Sequence, residues 1–421
     1  MRRPNLGPHR RRTSIMRLAK NARLAEMRKE DLRVTVDIAN TQRPYARTLA
    51  AESPIFQSSP CESTIVGVGT ASSSTPFSQQ DLLDTFAISD PKIRSVFLNS
   101  AIRRRFLDLP LPGDDGLPSS ETQADLLDRH KRLAVDMGRR ALQACLDDAG
   151  ASLSDIRHLC CVTSTGFLTP GLSALLIREL GIDRHCSRSD IVGMGCNAGL
   201  NALNVVSSWS VANPGELAVV LCTEACSAAY VMDSTMRTAV VNSLFGDGAA
   251  ALALVGRPAG DFLDAAGGDS SGAAGGPRIL KFASCIIPEA IDAMRYDWDS
   301  VQNRFSFFLD PQIPYVVGAH AEIVTDRLLA NTGLRRSDIG HWLVHAGGKK
   351  VVDAVTVNLG LNRHEVRHTT SVLRDYGNVS SGSFIFSYER LQQERVTAPG
   401  DYGVLMTMGP GSTIETALIQ W

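Results

Sequence analysis

The feature that most restricts this chain is that part of it occurs twice. Gly150 leads through Ser154-Asp155-Ile156 and His158 into the apolar run Leu159-Cys160-Cys161-Val162. Gly333 leads, at equal spacing, through Ser337-Asp338-Ile339 and His341 into Trp342-Leu343-Val344. Further on, Pro214-Gly215-Glu216-Leu217-Ala218-Val219-Val220 is echoed by Pro399-Gly400-Asp401-Tyr402-Gly403-Val404-Leu405. The offsets are 183 and 185 residues, and two echoes at nearly one offset mark a duplicated unit. Each unit reads helix, glycine stop, Ser-Asp turn, short apolar strand, loop, second helix, Pro-Gly, strand. Strands this apolar, alternating with helices, belong to a sheet covered on both faces. The expected fold is a layered α/β protein with two pseudo-symmetric halves. Sites in such folds form where strand ends and helix starts meet.

Composition narrows the class further. With 421 residues, 44% of them hydrophobic, the chain buries a core that needs no disulfide or metal staple. Its 43 basic residues balance 44 acidic ones, which argues against coating a nucleic acid or gripping a membrane surface. No run approaches the ~18 apolar residues of a membrane span. Nine cysteines, an odd number without a C-x-x-C pair, read as reduced thiols of a cytoplasmic protein. Residues 1–33 differ, holding eleven Lys or Arg against three acids. The sequence divides into a basic extension (1–61, expected to be disordered), an N-terminal half (62–256), a Gly/Ala/Ser-rich connection (257–277) and a C-terminal half (278–421). Met16 and Met27 are alternative starts within the extension.

Three positions carry chemistry. Asp190-Ile191-Val192-Gly193-Met194-Gly195-Cys196-Asn197-Ala198-Gly199 reads as strand, tight turn and helix, with the helix apolar nearly all round and therefore buried. Cys196 then sits at a helix start, where backbone N–H groups favour a thiolate nucleophile. His345 ends the strand Gly340-His341-Trp342-Leu343-Val344 before a Gly-Gly turn and supplies a base. His341 and His345 lie roughly 13 Å apart along a strand, too far for a metal pair. Asn378, in Asp375-Tyr376-Gly377-Asn378-Val379-Ser380, lies 182 residues after Cys196 and so is expected at the equivalent helix start of the other half. Cys, His and Asn without a plausible metal set suggest acyl transfer through a thioester. Two amide or imidazole donors would hold the enolate left by a departing carboxyl group. Phe245, Phe305 and Phe307 are candidates for an apolar pocket wall. Gly193-x-Gly195-x-x-x-Gly199, followed by a strand ending near Glu224, imitates a dinucleotide site but lacks a Tyr-x-x-x-Lys pair. Gly268-Asp269-Ser270-Ser271-Gly272 imitates a serine nucleophile within a low-complexity stretch.

GMGCNAG around Cys196, LFGDGAAA at 244–251, WLVHAGG around His345, DYGNVSSG around Asn378 and MGPGSTIET at 408–416 together resemble the type III, chalcone synthase-like polyketide synthases over residues 62–421. The resemblance implies a thiolase-like, duplicated αβαβα fold with Cys196, His345 and Asn378 catalytic. It implies gatekeepers at Phe245 and Phe305, and pocket positions at Thr165, Thr169, Cys226, Ala229 and Ser380. Lys92 matches a coenzyme A contact, whereas Ser95 and Asn99 stand where two further basic residues would. Thr169 replaces a methionine that in plant members reaches the partner subunit's site, and with Cys226, Ala228 and Ala229 it argues against chalcone or stilbene formation. SVFLNSAI, LCCVTSTGFLTPGLSALLIREL and TMRTAVVNSLFGDG are similar to bacterial members that supply dihydroxyphenylglycine for antibiotics. The implied reaction condenses four malonyl-CoA, as starter and extender alike, to a dihydroxyphenylacetyl thioester. The implied enzyme is a homodimer without cofactor beyond its coenzyme A thioesters. Alternatives are another malonyl-using synthase of the family, making a pyrone or naphthol, or a fatty-acid-type ketoacyl carrier-protein synthase. A thiolase would need a second cysteine near Met408-Gly409-Pro410-Gly411, which has none.

Overall fold

The computed structural model describes residues 61–230, 235–259 and 276–421. The basic extension up to residue 60, and the part of the Gly-rich connection from 260 to 275, lie outside the described residues.

The repeats become strands of one sheet. The first half supplies β1 (Cys61–Ala71), β4 (Ile156–Val162), β5 (Ser187–Ile191), β6 (Leu217–Glu224) and β7 (Gly248–Pro258). The second supplies β8 (Arg278–Ile286), β11 (Ile339–Val344), β12 (Tyr402–Gly409) and β13 (Thr413–Gln420). Among the described residues these nine strands run in the order β11-β12-β13-β8-β1-β7-β6-β4-β5. Apart from the edge strand β5, the order is symmetric about the junction of β8 and β1. β4 pairs parallel with β6, which pairs antiparallel with β7, and β7 with β1. β11, β12, β13 and β8 repeat that pattern. The halves join through a short contact, Ser63 with Ile279 and Thr64 with Arg278. Two antiparallel pairs stand apart: β2 (Thr75–Ser78) with β3 (Arg104–Leu107), and β9 (Met294–Asp299) with β10 (Arg304–Leu309).

The helices are α1 (Gln79–Thr85), α2 (Pro91–Leu98), α3 (Gln123–Ala149), α4 (Leu172–Leu180), α5 (Ala198–Ala212), α6 (Met236–Leu244), α7 (Ile313–Leu329), α8 (Lys349–Leu359), α9 (Arg367–Tyr376) and α10 (Ser383–Glu394). α3 shows how sequence sets their limits. Thr122 and Asp125 exchange hydrogen bonds as a capping box, and Gly150 ends the helix at φ 64°. α3 and α4 cover the outer face of the first half through Met137, Leu142 and Leu176 against Leu159, Val219 and Leu221. α7 and α8 cover the second through Val317, Val324 and Val355 against Trp342, Val404 and Met406. Between the two halves, α5 and α10 share a core of Leu203, Val206, Phe384 and Leu391. Each such side chain contributes ~1.5–3 kcal/mol by leaving water. The result is the αβαβα layering. One expectation changes: α5 is apolar almost throughout, yet Asn204, Val205 and Ser208 form one exposed face, with Val205 47% exposed.

Candidate active site

β5 delivers the chain to Gly195, whose φ of 64° turns it into the 3₁₀ turn Gly195–Asn197 ahead of α5. A Cβ on Gly195 would lie 2.5 Å from the Pro410 ring, so only glycine fits. Cys196 is thereby held at the start of the central helix, 5% exposed. The second half repeats the device. Ser380 takes φ 48° and begins the 3₁₀ turn Ser380–Gly382 ahead of α10. This match has an offset of 185, so the counterpart of Cys196 is Ser381, and Asn378 lies three residues before it. The expected equivalence of Cys196 and Asn378 is therefore corrected. Ser381 is used differently, donating to Glu224 Oε1 at 2.5 Å.

A chain of hydrogen bonds nevertheless links the three expected residues. Cys196 Sγ lies 3.5 Å from Ser380 Oγ. Ser380 N–H donates to Asn378 Oδ1 at 2.9 Å, which orients the amide so that Nδ2 points the other way and donates to Gly347 O at 3.4 Å. Gly347 N–H in turn bonds the carbonyl of His345 at 2.8 Å. The Asn378 backbone is pinned on both sides, its N–H to Leu244 O at 2.8 Å and its carbonyl to Gly246 N–H at 3.0 Å. His345 follows β11 and is fixed by its N–H to Met406 O at 2.7 Å. It is 2% exposed, and its Nδ1 has no partner among the described residues.

Burial governs the charges here. It pushes the Cys196 thiol up to about 12, against a smaller opposing pull from the Ser380 hydroxyl. Burial thus opposes the thiolate that the helix start favours. Burial likewise pushes His345 down to about 3. Glu224 adds a smaller upward push on the thiol. An ion pair of thiolate and imidazolium would offset, through its own attraction, the desolvation that opposes either charge alone.

The thiol opens on a cavity of about 320 Å³ whose wall includes Thr163, Thr165, Cys226, Ala229, Phe245 and Ser380. Phe245 meets Phe307 edge-on at 5.7 Å, and Phe307, not the expected Phe305, lines the cavity. Phe305 shares the strand face but stacks on Tyr296 at 5.4 Å and packs against Phe167. Thr169 is exposed and away from this wall. Lys92 is exposed on α2, outside the wall, and Asn99 Nδ2 donates to Ser95 Oγ at 3.0 Å where two basic residues were sought.

Sequence reasoning treated Glu224 only as part of a nucleotide-site imitation. It is fully buried and accepts bonds from Ser164 N–H and Oγ, both at 2.9 Å, and burial raises its carboxyl. Ser164 Oγ also lies 3.1 Å from Ser380 Oγ, so Glu224 connects to Cys196 through two hydroxyls. The signal was available: an acid closing the otherwise apolar run Leu217-Ala218-Val219-Val220-Leu221-Cys222-Thr223 must be buried and bonded. His341 is structural, bonded to Asp401 Oδ2 at 3.0 Å and packed on Trp421. The Gly268–Gly272 motif lies outside the described residues.

A duplicated layered fold with a buried cysteine, histidine and asparagine tied together at the meeting of its halves is the frame of a condensing enzyme. The chalcone and stilbene synthase N-terminal domain matches residues 50–258, and the C-terminal domain of the same family matches residues 283–421. The chain belongs to that family and is a type III polyketide synthase. It is 70% identical over 396 residues to the 3,5-dihydroxyphenylacetyl-CoA synthase of Streptomyces toyocaensis, covering 93% of this chain and 99% of that one. To the enzyme of the same name from Amycolatopsis orientalis it is 76% identical over 355 residues, 84% of this chain and 92% of that one. Among solved structures, 1,3,6,8-tetrahydroxynaphthalene synthase from Streptomyces coelicolor superposes with a TM-score of 0.74 at 28% identity, covering 85% of this chain and 99% of that one. Among the described residues no helix is long and apolar enough to cross a membrane.

Proposed function

We propose that this enzyme condenses four malonyl-CoA into 3,5-dihydroxyphenylacetyl-CoA, in the cytoplasm and as a homodimer, and so supplies a precursor of dihydroxyphenylglycine for antibiotic biosynthesis. The observation that carries the product is identity of 70–76%, over most of both chains, to relatives bearing that name. Eight carbons in the acyl group correspond to four two-carbon units. Cys196 carries the growing chain as a thioester, having given its proton to His345. The free N–H of the Asn378 amide and an N–H of His345 then donate to the malonyl thioester oxygen. That pair holds the enolate formed as carbon dioxide leaves, and the enolate carbon attacks the Cys196 thioester. The apolar faces of Phe245 and Phe307 disfavour the charged carboxylate and favour its loss. Lys92 meets the coenzyme A phosphates from the exposed start of α2. The uncovered α5 face at Val205 and the exposed Thr169 support burial against a second copy.

The test is mass spectrometry of the products made from malonyl-CoA alone. The expected product is 3,5-dihydroxyphenylacetyl-CoA or its free acid. A pyrone or naphthol would overturn the product, and inactivity until a carrier protein is added would overturn the coenzyme A specificity.

A further inference from the structure

We propose that His130, together with Thr163 and Thr165, forms a neutral proton relay in the cavity wall that serves the ring-closing and water-losing steps on the bound polyketide. The inference rests on the function proposed above. The thioester steps occupy Cys196, His345 and Asn378. Cyclisation needs a proton removed from one carbon and delivered to an oxygen elsewhere, and another part of the cavity wall holds a group suited to both tasks.

His130 lies on α3 with no exposed surface. Its Nδ1 is 3.2 Å from Thr165 Oγ1 and its Nε2 is 3.4 Å from Thr163 Oγ1. The two hydroxyls are 3.5 Å apart and both belong to the cavity wall. The ring cannot swing, because it lies against Gly166, where a Cβ would fall 2.3 Å from its Cδ2. Thr165 Oγ1 also accepts from Ala225 N–H at 3.0 Å and its hydroxyl meets the Glu224 carboxyl, which together fix it at the end of β6. Burial, the one cause acting on this imidazole, pushes it down to about 4, so it is uncharged near neutrality. A neutral imidazole has one N–H and one bare nitrogen. Both face hydroxyls that reach the cavity, so a proton can enter at one nitrogen while another leaves from the other.

The aldol step balances. A methylene carbon loses its proton to Thr165 Oγ1, and its electron pair forms the new bond to a carbonyl carbon. The Thr165 proton passes to Nδ1, the Nε2 proton to Thr163 Oγ1, and the Thr163 proton to the oxygen that received the carbonyl π pair. Loss of water runs the relay the other way: a proton reaches the departing hydroxyl through Thr165, a C–H proton leaves through Thr163, and the C–O pair departs with the water. One aldol step and one dehydration return His130 to its starting tautomer. At no point does the relay hold a net charge, which an apolar wall would penalise. A buried core histidine of purely structural use would need its two nitrogens satisfied but would not need partners that open on the substrate.

The experiment uses full-length His130→Gln, Thr165→Val and the double variant, supplied with malonyl-CoA, and measures coenzyme A released alongside the fraction of product that is aromatic. Gln keeps an amide donor and acceptor but cannot pass a proton through itself, and Val keeps the shape of Thr without its hydroxyl. In each single variant the aromatic fraction is expected to fall roughly tenfold or more beyond any fall in coenzyme A release, in favour of linear acids or lactones. The double variant is expected to match the worse single, as members of one unit do. An unchanged aromatic fraction in His130→Gln overturns the relay. So do parallel losses of coenzyme A release and aromatic product in both single variants, or multiplicative losses in the double. A wild-type enzyme that makes a different ring system defeats the proposed product but leaves the relay to be judged on that ring's yield.

Discussion

At the residue scale, burial keeps both the Cys196 thiol and the His345 imidazole neutral. If His345 accepts the Cys196 proton, His345→Gln should slow iodoacetamide alkylation of Cys196 roughly tenfold or more. Cys285, the partly exposed thiol on β8, should react unchanged and serve as the internal reference. Peptide mapping that finds the Cys196 rate unaltered would sink the pairing. Stability carries the same signature. His345 falls from 6.5 to about 3 on folding, so the unfolded chain takes up its proton first and acid favours unfolding. Asp247, raised to about 6, and Glu415, raised to about 7, act in the opposite sense, being stabilising when protonated. Comparing wild type with His345→Gln cancels them. Acidifying from pH 7 to 5 should therefore destabilise wild type more than the variant, by on the order of 1 kcal/mol per pH unit. Urea midpoints at the two pH values measure it. The turns that hold Cys196, His345 and Asn378 were legible from their neighbouring glycines. Phe307 was not separable from Phe305, because both point to one face of β10 and only the tertiary fold decides which meets Phe245.

At the element scale, the decisive contact is the approach of the two helix starts. Gly199 on α5 leaves room for the other half: a Cβ there would lie 2.3 Å from Ser381 O and 2.8 Å from the Phe384 ring. Gly199→Ala is expected to destabilise by ~1–3 kcal/mol and to lower turnover further by displacing Ser380 from Cys196. A thermal midpoint matching wild type would contradict this. A second device is Arg105, fully buried on β3. It donates to Tyr230 Oη at 2.9 Å, Asn242 O at 2.6 Å, Phe245 O at 2.7 Å and Gln79 Oε1 at 2.8 Å. It thereby fixes the backbone of Phe245, which itself pairs with Asn378. Arg105→Met strands these acceptors, so a loss on the order of 3 kcal/mol or more is expected, read from denaturant unfolding. Much of this architecture was readable in advance. The echoed runs became β4 with β11 and β6 with β12. The offset grew from 183 to 185 between them, so the helix starts belong to the second register. Taking 182 as a match missed a change in loop length that leaves no mark on strand periodicity.

At the scale of the whole molecule, the layered frame accounts for residues 61 onward, and the family match begins at residue 50. Removing residues 1–33 is accordingly expected to leave turnover unchanged, and a large loss in a steady-state assay would give that segment a role in the site. The sheet order has one more consequence, for how the enzyme is made. β13, translated after every other strand of the sheet, is not an edge: it lies between β12 and β8. While the ribosome is still working, the nucleophile emerges early, but the base and the amide that serve it arrive late, on elements held by a sheet that is still open. Until the second half is made, the turn that holds Cys196 lacks Ser380 and Pro410, so the proposed nucleophile, base and amide come together only once this region of the chain exists.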